Sequence, residues 1–233
     1  MSVPNINRLL HVLPFEYRTS LLSRMEPVTL PVSTTLYRAG EIPKYVHFMT
    51  SGITSIVTFM EDGSGVEVGL VGCEGLVEGF HLLGPANVPS SGFVQVAGTA
   101  LRIPFVELRK EFLASEMLRS RILQCVQGQS LMLSQIAACN RLHEVEERLA
   151  RWLLMVQDRI GDHMFALTQE FLAEMIGARR TTVTLAAGRL QQSGLIEYRR
   201  GHTHILDREG LESAACECYP IVRGLVANLY QRC

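Results

Sequence analysis

Apolar residues in the last third of the chain repeat at helical spacing in two short segments that are separated by Gly177. Such spacing predicts two helices that each bury one apolar face. Gly177 tolerates the positive φ of a tight turn, and Ala173 is small enough for two helices to cross closely. We therefore predict a helix-turn-helix. The residues predicted to be buried are Leu172, Ile176, Val183, Ala186 and Leu190.

The opposite face of the second helix is predicted to be exposed, and no acidic residue lies between Arg179 and Arg189. This face is typical of a recognition helix that enters a DNA major groove. The candidate base contacts are Arg179, Arg180, Thr181, Thr184 and Leu185. Arg180 is assigned a bidentate contact with guanine, Arg179 meets either a base or a phosphate, and Leu185 can contact only an apolar group such as a thymine methyl. An A·T pair is therefore expected opposite Leu185.

Two short segments of alternating polarity follow, Leu195–Tyr198 and Thr203–Leu206, and a basic turn that contains Gly201 joins them. The pattern predicts a β-hairpin, which distinguishes a winged helix-turn-helix from an ordinary helical hairpin that carries arginines. The basic turn is expected to lie near the phosphate backbone, as are hydroxyl and amide groups at helix N-termini. The candidate phosphate contacts are Thr168, Gln169, Thr182, Arg199 and Arg200.

The region from Val28 to Ile103 has short β-rich runs broken by glycine and proline. Tyr45–Thr50 and Ile53–Met60 are predicted as separate strands with a turn at Ser51-Gly52, and Glu61–Gly65 is predicted as a hairpin turn. Six or more short strands at this spacing favour a small barrel or sandwich.

A short helix at Phe105–Ala114 and a long helix at 116–140 are predicted next. The long helix has a heptad seam that packs against a second chain, against its own barrel, or against both. The predicted dimer seam is Leu118, Ile122, Cys125, Gln129, Met132 and Ile136. Asn140–His143 is the predicted hinge, and Glu144–Ile160 is the predicted first helix of the DNA-binding domain.

The predicted fold class is α+β, in three parts. Residues 1–115 form an N-terminal β-roll or jelly-roll barrel with a helical lead-in, residues 116–140 the dimerisation helix, and residues 141–233 the winged helix-turn-helix domain.

The net charge of the 233-residue chain is −1, yet the segment from Arg179 to Arg208 has six arginines and two acids. Local basic charge on a nearly neutral chain suits a protein that reads one DNA site. A secretory signal and a membrane-length apolar span are not found, so we expect a cytoplasmic protein with reduced cysteines and no membrane partner. Cys216-Glu-Cys218 lacks a second pair of ligands, and therefore neither a metal nor another cofactor is expected.

The order of barrel, long helix, hinge and winged helix-turn-helix resembles the Crp/Fnr family of bacterial transcription regulators over nearly the whole chain. The segments that carry the resemblance are Leu36–Glu41, Tyr45–Phe48, Gly52–Ile56, Leu149–Leu154, Leu167–Glu170, Ile176-Gly177 and Leu190–Ile196. The resemblance implies a homodimer that binds specific double-stranded DNA and changes geometry about the hinge, with RNA polymerase as a partner if it activates transcription. The alternative is a ligand-binding or interaction module that has lost DNA binding. Enzymatic activity is not expected, since no catalytic motif is found.

Family members that bind a cyclic nucleotide carry a glutamate for the ribose and an arginine for the phosphate. Here Glu78 can serve the ribose, but Ser90 replaces the arginine, and no Arg or Lys lies between Lys44 and Arg102. We therefore predict that cyclic AMP is not the effector; an unknown small molecule, or none, takes its place. The residues of the possible effector pocket are Glu78, Ser90, Ser91, Leu133 and Ser134, where either Leu133 or Ser134 takes the place of a base-contacting hydroxyl.

Two other sensor groups of the family, an iron–sulfur cluster and haem, are not expected in this sequence. An iron–sulfur cluster needs several N-terminal cysteines, whereas the first cysteine here is Cys73. The barrel histidines His47 and His81 are expected to be surface or loop residues and not haem ligands.

Overall fold

In a computed structural model of the chain, the described residues are 6–84, 87–166, 169–199 and 201–231, with only the backbone described at Ala166, Gln169 and Glu170. The chain divides into two compact units. The first comprises Met1–Val57, Gly69–Leu131 and Val226–Cys233, and the second comprises Thr58–Val68 and Met132–Leu225. The described helices include none that is long and apolar enough to cross a membrane.

The first unit is built on an antiparallel sheet with helices before and after it. Its strands are hydrogen-bonded in the order β1-β5-β3-β4, and β2 also pairs with β5. The elements from the N-terminus to the long helix are α1 (Arg8–His11), α2 (Phe15–Leu22), β1 (Glu26–Leu30), β2 (Thr35–Tyr37), β3 (Tyr45–Phe59), β4 (Gly65–Val71), α3 (Gly79–Leu83), β5 (Ser90–Pro104), α4 (Phe105–Ala114) and α5 (Glu116–Leu142). The α+β class, the helical lead-in and the bounds of α4 agree with the sequence predictions.

The predicted turn at Ser51-Gly52 is wrong, because β3 continues through it as one strand of 15 residues. Gly52 has φ +74, and a Cβ built on it would lie 2.5 Å from the carbonyl oxygen of Val96. Glycine therefore serves a close approach between two backbones within a sheet, and not a chain reversal. The predicted hairpin turn at Glu61–Gly65 is confirmed, since it connects β3 to β4 and Asp62 accepts hydrogen bonds from the backbone and hydroxyl of Ser64 at 2.9 and 2.6 Å.

The core of the first unit includes the N-terminal part of α5. Leu118, Ile122 and Cys125 are at most 1 % exposed and belong to the same apolar cluster as Phe48 and Leu76. Gln129 donates to the carbonyl of Leu76 at 3.1 Å. The predicted dimer seam is therefore corrected: its side chains are used within the chain itself, including Met132 and Ile136, which are also buried.

The second unit contains the remaining helices and a three-stranded sheet of order β6-β8-β7. Its elements after α5 are α6 (Val145–Ile160), β6 (Met164–Ala166), α7 (Gln169–Ile176), α8 (Arg180–Gln192), β7 (Ile196–Arg199), β8 (His202–Ile205), α9 (Arg208–Ala214) and α10 (Cys218–Ala227). A capping box between Glu144 and Glu147 begins α6, and Gly161, with φ 70, ends it. These caps explain why the sequence placed α6 to within one residue.

The two units differ from the predicted domains at three places. The predicted dimerisation helix, 116–140, is divided between the units after Leu131. Two further segments belong to a different unit from the one predicted, and hydrogen bonds explain both. The tip of the β3–β4 hairpin belongs to the second unit, where the indole of Trp152 donates to the buried carboxylate of Glu67 at 2.8 Å. The chain after Val226 belongs to the first unit, where Arg8 donates to the carbonyl of Val226 at 3.1 Å and Tyr230 donates to that of Glu74 at 2.8 Å. These partners are far apart in sequence, so periodicity could not pair them.

Candidate nucleic-acid interface

The two helices α7 and α8 pack through the apolar faces that the sequence predicted. The five residues concerned are between 0 and 4 % exposed, namely Leu172, Ile176, Val183, Ala186 and Leu190. Gly177 lies in the turn between the helices with φ +62, as expected. The scaffold of the helix-turn-helix is therefore set by local sequence.

The outer face of α8 does not pack against the core and is exposed. The side chains predicted to contact DNA here are all exposed, namely Arg179, Arg180, Thr181, Thr182, Thr184 and Leu185. Leu185 is 66 % exposed, so its side chain is accessible to a partner. Arg189, further along, is within 3.4 Å of the carboxylate of Glu146, so part of its charge is used inside the protein.

Arg179 caps the N-terminus of α8 in an extended conformation, and its side chain makes no capping hydrogen bond. The first turn of α8 lacks acidic residues, so its backbone N–H groups and the helix dipole favour an anion there. A phosphate oxygen is such an anion.

The predicted hairpin is present as β7 and β8, with Arg199 opposite His202 and Gly201 in the turn at φ +78. The backbone N–H of Tyr198 donates to the side-chain oxygen of Gln191 at 2.9 Å, which connects the hairpin to α8. Arg199 is exposed. Thr168 and Arg200 lie outside the described residues, and Gln169 begins α7 with its side chain outside them.

The third strand of this sheet, β6, pairs with β8 and was not predicted. Three residues are too short a segment for alternation to show in sequence.

The predicted effector-pocket residues of the first unit are already hydrogen-bonded within the protein. The carboxylate of Glu78, 0 % exposed, accepts from the backbone N–H of His47 at 2.8 Å and lies 2.8 Å from its Nδ1 atom. The Ser91 hydroxyl accepts from the backbone N–H of Ala39 at 3.0 Å, and the Ser90 hydroxyl lies 3.5 Å from that of Tyr37. Leu133 and Ser134 belong to the second unit and are exposed.

The expected exposure of His47 is wrong, because its side chain is buried beside Glu78. His81 lines a cavity of about 170 Å³ together with Glu41, Phe105 and Arg109. Burial lowers the pKa of His81, and among the described residues neither of its buried ring nitrogens has a hydrogen-bond partner. Burial therefore favours the neutral form of this imidazole.

Sequence reasoning missed one group of potential metal ligands. Cys139 and His143 lie with Cys216 and Cys218, and the four potential ligand atoms are within 4.8 Å of one another. The expectation that Cys216 and Cys218 lack a second pair of ligands is therefore wrong. The signal in the sequence was the four-residue spacing of Cys139 and His143 near a helix end, which places both on one side of a helix.

Comparison with known proteins agrees with the helix-turn-helix geometry of α7 and α8. Residues 147–214 match the Crp-like helix-turn-helix domain family. Electron transport regulator A of Shewanella oneidensis is 22 % identical over 211 residues, which cover 84 % of this chain and 80 % of that protein.

Among solved structures, FixK2 from Bradyrhizobium japonicum is similar with a TM-score of 0.70 and 14 % identity, covering 82 % of this chain and 98 % of that one. A Crp/Fnr-family regulator from Eubacterium rectale has a TM-score of 0.71 and 14 % identity, covering 88 % of this chain and 96 % of that one. The resemblance noted from the sequence is thus confirmed in fold as well as in the C-terminal domain. The chain therefore has the fold of these two solved regulator structures, and its residues 147–214 match the Crp-like helix-turn-helix domain family.

Proposed function

We propose that the protein is a homodimeric, sequence-specific DNA-binding regulator whose α8 reads bases in the major groove. The single observation that carries the proposal is the division of α8 into two faces. One face is apolar and buried, and the other exposes arginines, threonines and a leucine at the positions of a recognition helix.

The exposed groups divide into those that read sequence and those that bind the phosphate backbone. Arg180 is the residue for a bidentate contact with guanine O6 and N7, and Leu185 is placed to meet a thymine methyl one turn later. Thr182 and the N-terminal N–H groups of α8 suit phosphate oxygens, as does Arg199 at the end of β7. The sequence alone adds three further candidate phosphate contacts, Thr168, Gln169 and Arg200.

Selection of binding sites from random double-stranded DNA tests the assignment. Arg180→Ala is expected to cost about 1–3 kcal/mol of binding free energy and to relax the preference at one guanine in each half-site. Arg199→Ala serves as the matched control, because it removes the same guanidinium from a phosphate-binding position. This variant is expected to weaken binding to all DNA sequences equally. It should also reduce the slope of log affinity against log salt concentration by about 1.

The two variants together distinguish the possible results. An unchanged sequence preference in Arg180→Ala refutes the assignment of Arg180. Failure of the wild-type protein to enrich any sequence, with or without small-molecule extracts, contradicts DNA reading altogether and favours the alternative of an interaction module.

For the homodimer, we infer that a second copy packs on a different face of α5 from the one first predicted. That face is exposed and, apart from Gln127, has apolar or small residues at intervals of three and four, which is the spacing of a helix-pairing seam. Its members are Leu123, Gln127, Leu131, Ser134, Ala138 and Leu142. Leu123 and Leu131 are 45 and 49 % exposed in the single chain. A two-fold dimer presents two recognition helices to two half-sites.

For the effector, we infer a small molecule other than cyclic AMP. A cyclic phosphate is a monoanion, and Ser90 supplies no charge to meet it. The cavity beside His81 offers an uncharged imidazole and the guanidinium of Arg109, so it suits a compact molecule with a hydrogen-bonding group.

A further inference from the structure

Three cysteines and one histidine of the second unit form a compact group where α5 ends and α10 begins. Cys139 is in the last turn of α5, His143 directly follows that helix, Cys216 precedes α10, and Cys218 is its first residue. The three cysteines are at most 3 % exposed. The four residues come from two segments more than 70 positions apart, so the fold itself brings them together.

The distances match those around one tetrahedral ion. With Zn–S near about 2.3 Å and Zn–N near about 2.0–2.1 Å, a tetrahedron has edges of about 3.8 Å between sulfurs and about 3.6 Å between sulfur and nitrogen. The Sγ atoms of Cys139 and Cys216 are 3.4 Å apart, and the Sγ atom of Cys218 lies 3.6 Å from Nδ1 of His143. Four ligand atoms within 4.8 Å of one another leave room for a single ion and not for a cluster of several.

Side chains around the group hold the ligand atoms in the form that binds a metal. The Nε2 atom of His143 lies 3.0 Å from the carboxylate of Glu217, which fixes the ring and leaves Nδ1 as the ligand. The amide of Gln135 donates to Sγ of Cys218 at 3.1 Å, and such a bond stabilises a thiolate. A carboxylate behind a ligating histidine is the usual arrangement at zinc sites.

Two buried arginines supply positive charge near the thiols. Arg148 and Arg151 are 6 and 3 % exposed, and the Nε atom of each is buried without a hydrogen-bond partner among the described residues. Arg148 and Arg151 each interact electrostatically with Cys139 and Cys216. Three thiolates, a neutral imidazole and Zn²⁺ sum to about −1, a charge that these guanidiniums would balance.

We propose that Cys139, His143, Cys216 and Cys218 bind one zinc ion per chain in a closed tetrahedral site. The ligand atoms are the three Sγ atoms and Nδ1 of His143, and each thiol that binds releases its proton to solvent. With four protein ligands no position is left for water, so the ion is structural and not catalytic. It joins the end of α5 and the predicted hinge at Asn140–His143 to the start of α10.

Metal analysis of the full-length protein is the direct test. The protein is produced without a polyhistidine tag, purified in reducing buffer, incubated with zinc sulfate and desalted. We expect about one zinc per chain in the wild type by plasma mass spectrometry, and less than about one tenth of that in Cys139→Ser and Cys218→Ser. Cys73→Ser is the matched control, because Cys73 lies outside the group and should leave the zinc content unchanged.

Cobalt(II) added alone to metal-free wild-type protein gives a second measurement that does not depend on variants that fold. Intense visible bands of tetrahedral cobalt, with thiolate-to-cobalt charge-transfer bands, are expected at one equivalent and should disappear when zinc is added. Wild-type protein that binds neither ion, zinc that is retained in both serine variants, or iron with inorganic sulfide in place of zinc would each overturn the proposal. A loss of zinc that occurs equally in Cys73→Ser would also overturn it.

Discussion

Glu78 illustrates how a single buried residue limits what the first unit can bind. Both carboxylate oxygens are engaged by His47, one by its backbone N–H and one by its imidazole. A ribose hydroxyl would have to displace these partners, and displacing hydrogen bonds from a fully buried carboxylate is costly. The position that resembles a ribose ligand is therefore occupied by the protein's own histidine.

Cyclic AMP is accordingly expected not to bind with micromolar affinity. Two reasons combine: Glu78 is already hydrogen-bonded, and Ser90 has no charge for the phosphate. Isothermal titration calorimetry of the full-length protein with cyclic AMP makes the measurement. Millimolar binding agrees with a degenerate pocket, while a dissociation constant in the micromolar range contradicts the prediction.

At the scale of elements, β3 depends on a glycine that sequence patterns interpret as a turn. A Cβ at Gly52 would lie 2.5 Å from the oxygen of Val96 and 2.9 Å from that of Ala97. Backbone carbonyls in a paired sheet cannot yield as a flexible side chain can. The length of β3 therefore rests on the absence of a side chain at one position.

Gly52→Ala is expected to destabilise the first unit by more than its backbone conformation alone explains. Gly40 is the matched control, because it has φ +75 in the same unit but no atom within 4 Å of its added Cβ. Gly40→Ala should lower the free energy of unfolding by about 1–2 kcal/mol because of the positive φ. Gly52→Ala should lower it by about 2 kcal/mol or more in addition. Thermal and urea unfolding provide the comparison, and equal losses in the two variants would show that the close approach does not matter.

At the scale of the whole molecule, the long helix presents two different faces with different roles. Ile122 is 0 % exposed and belongs to the core of its own unit, so a charge there should unfold the protein. Leu131 is 49 % exposed and lies on the face that we assign to a second copy.

Leu131→Glu is expected to give a folded monomer with weaker binding to a two-half-site DNA, because each dimer would bury two unpaired carboxylates. Sedimentation velocity and DNA affinity make the measurement, and circular dichroism reports the fold. Leu113→Glu is the control: Leu113 is 65 % exposed on α4, so this variant should remain dimeric. A Leu131→Glu protein that still sediments as a tight dimer would refute the new seam.

The sequence by itself determined the helix-turn-helix of this protein and the two faces of α8. Helical spacing located the buried residues of α7 and α8, and Gly177 marked their turn, because each of these signals acts within a few residues of chain. The exposed side chains of α8 followed directly, since a helix that buries one face must expose the other.

Only the tertiary structure decided which surfaces meet. Periodicity shows that α5 has an apolar stripe but not what packs against that stripe. In the structure, the N-terminal part of the stripe packs within the core of its own chain. His47 and Glu78 pair across 31 positions, and Cys139 meets Cys216 across 77. Partners so distant in sequence leave no periodic signal, because their contact depends on how whole elements pack and not on the local preferences of either segment.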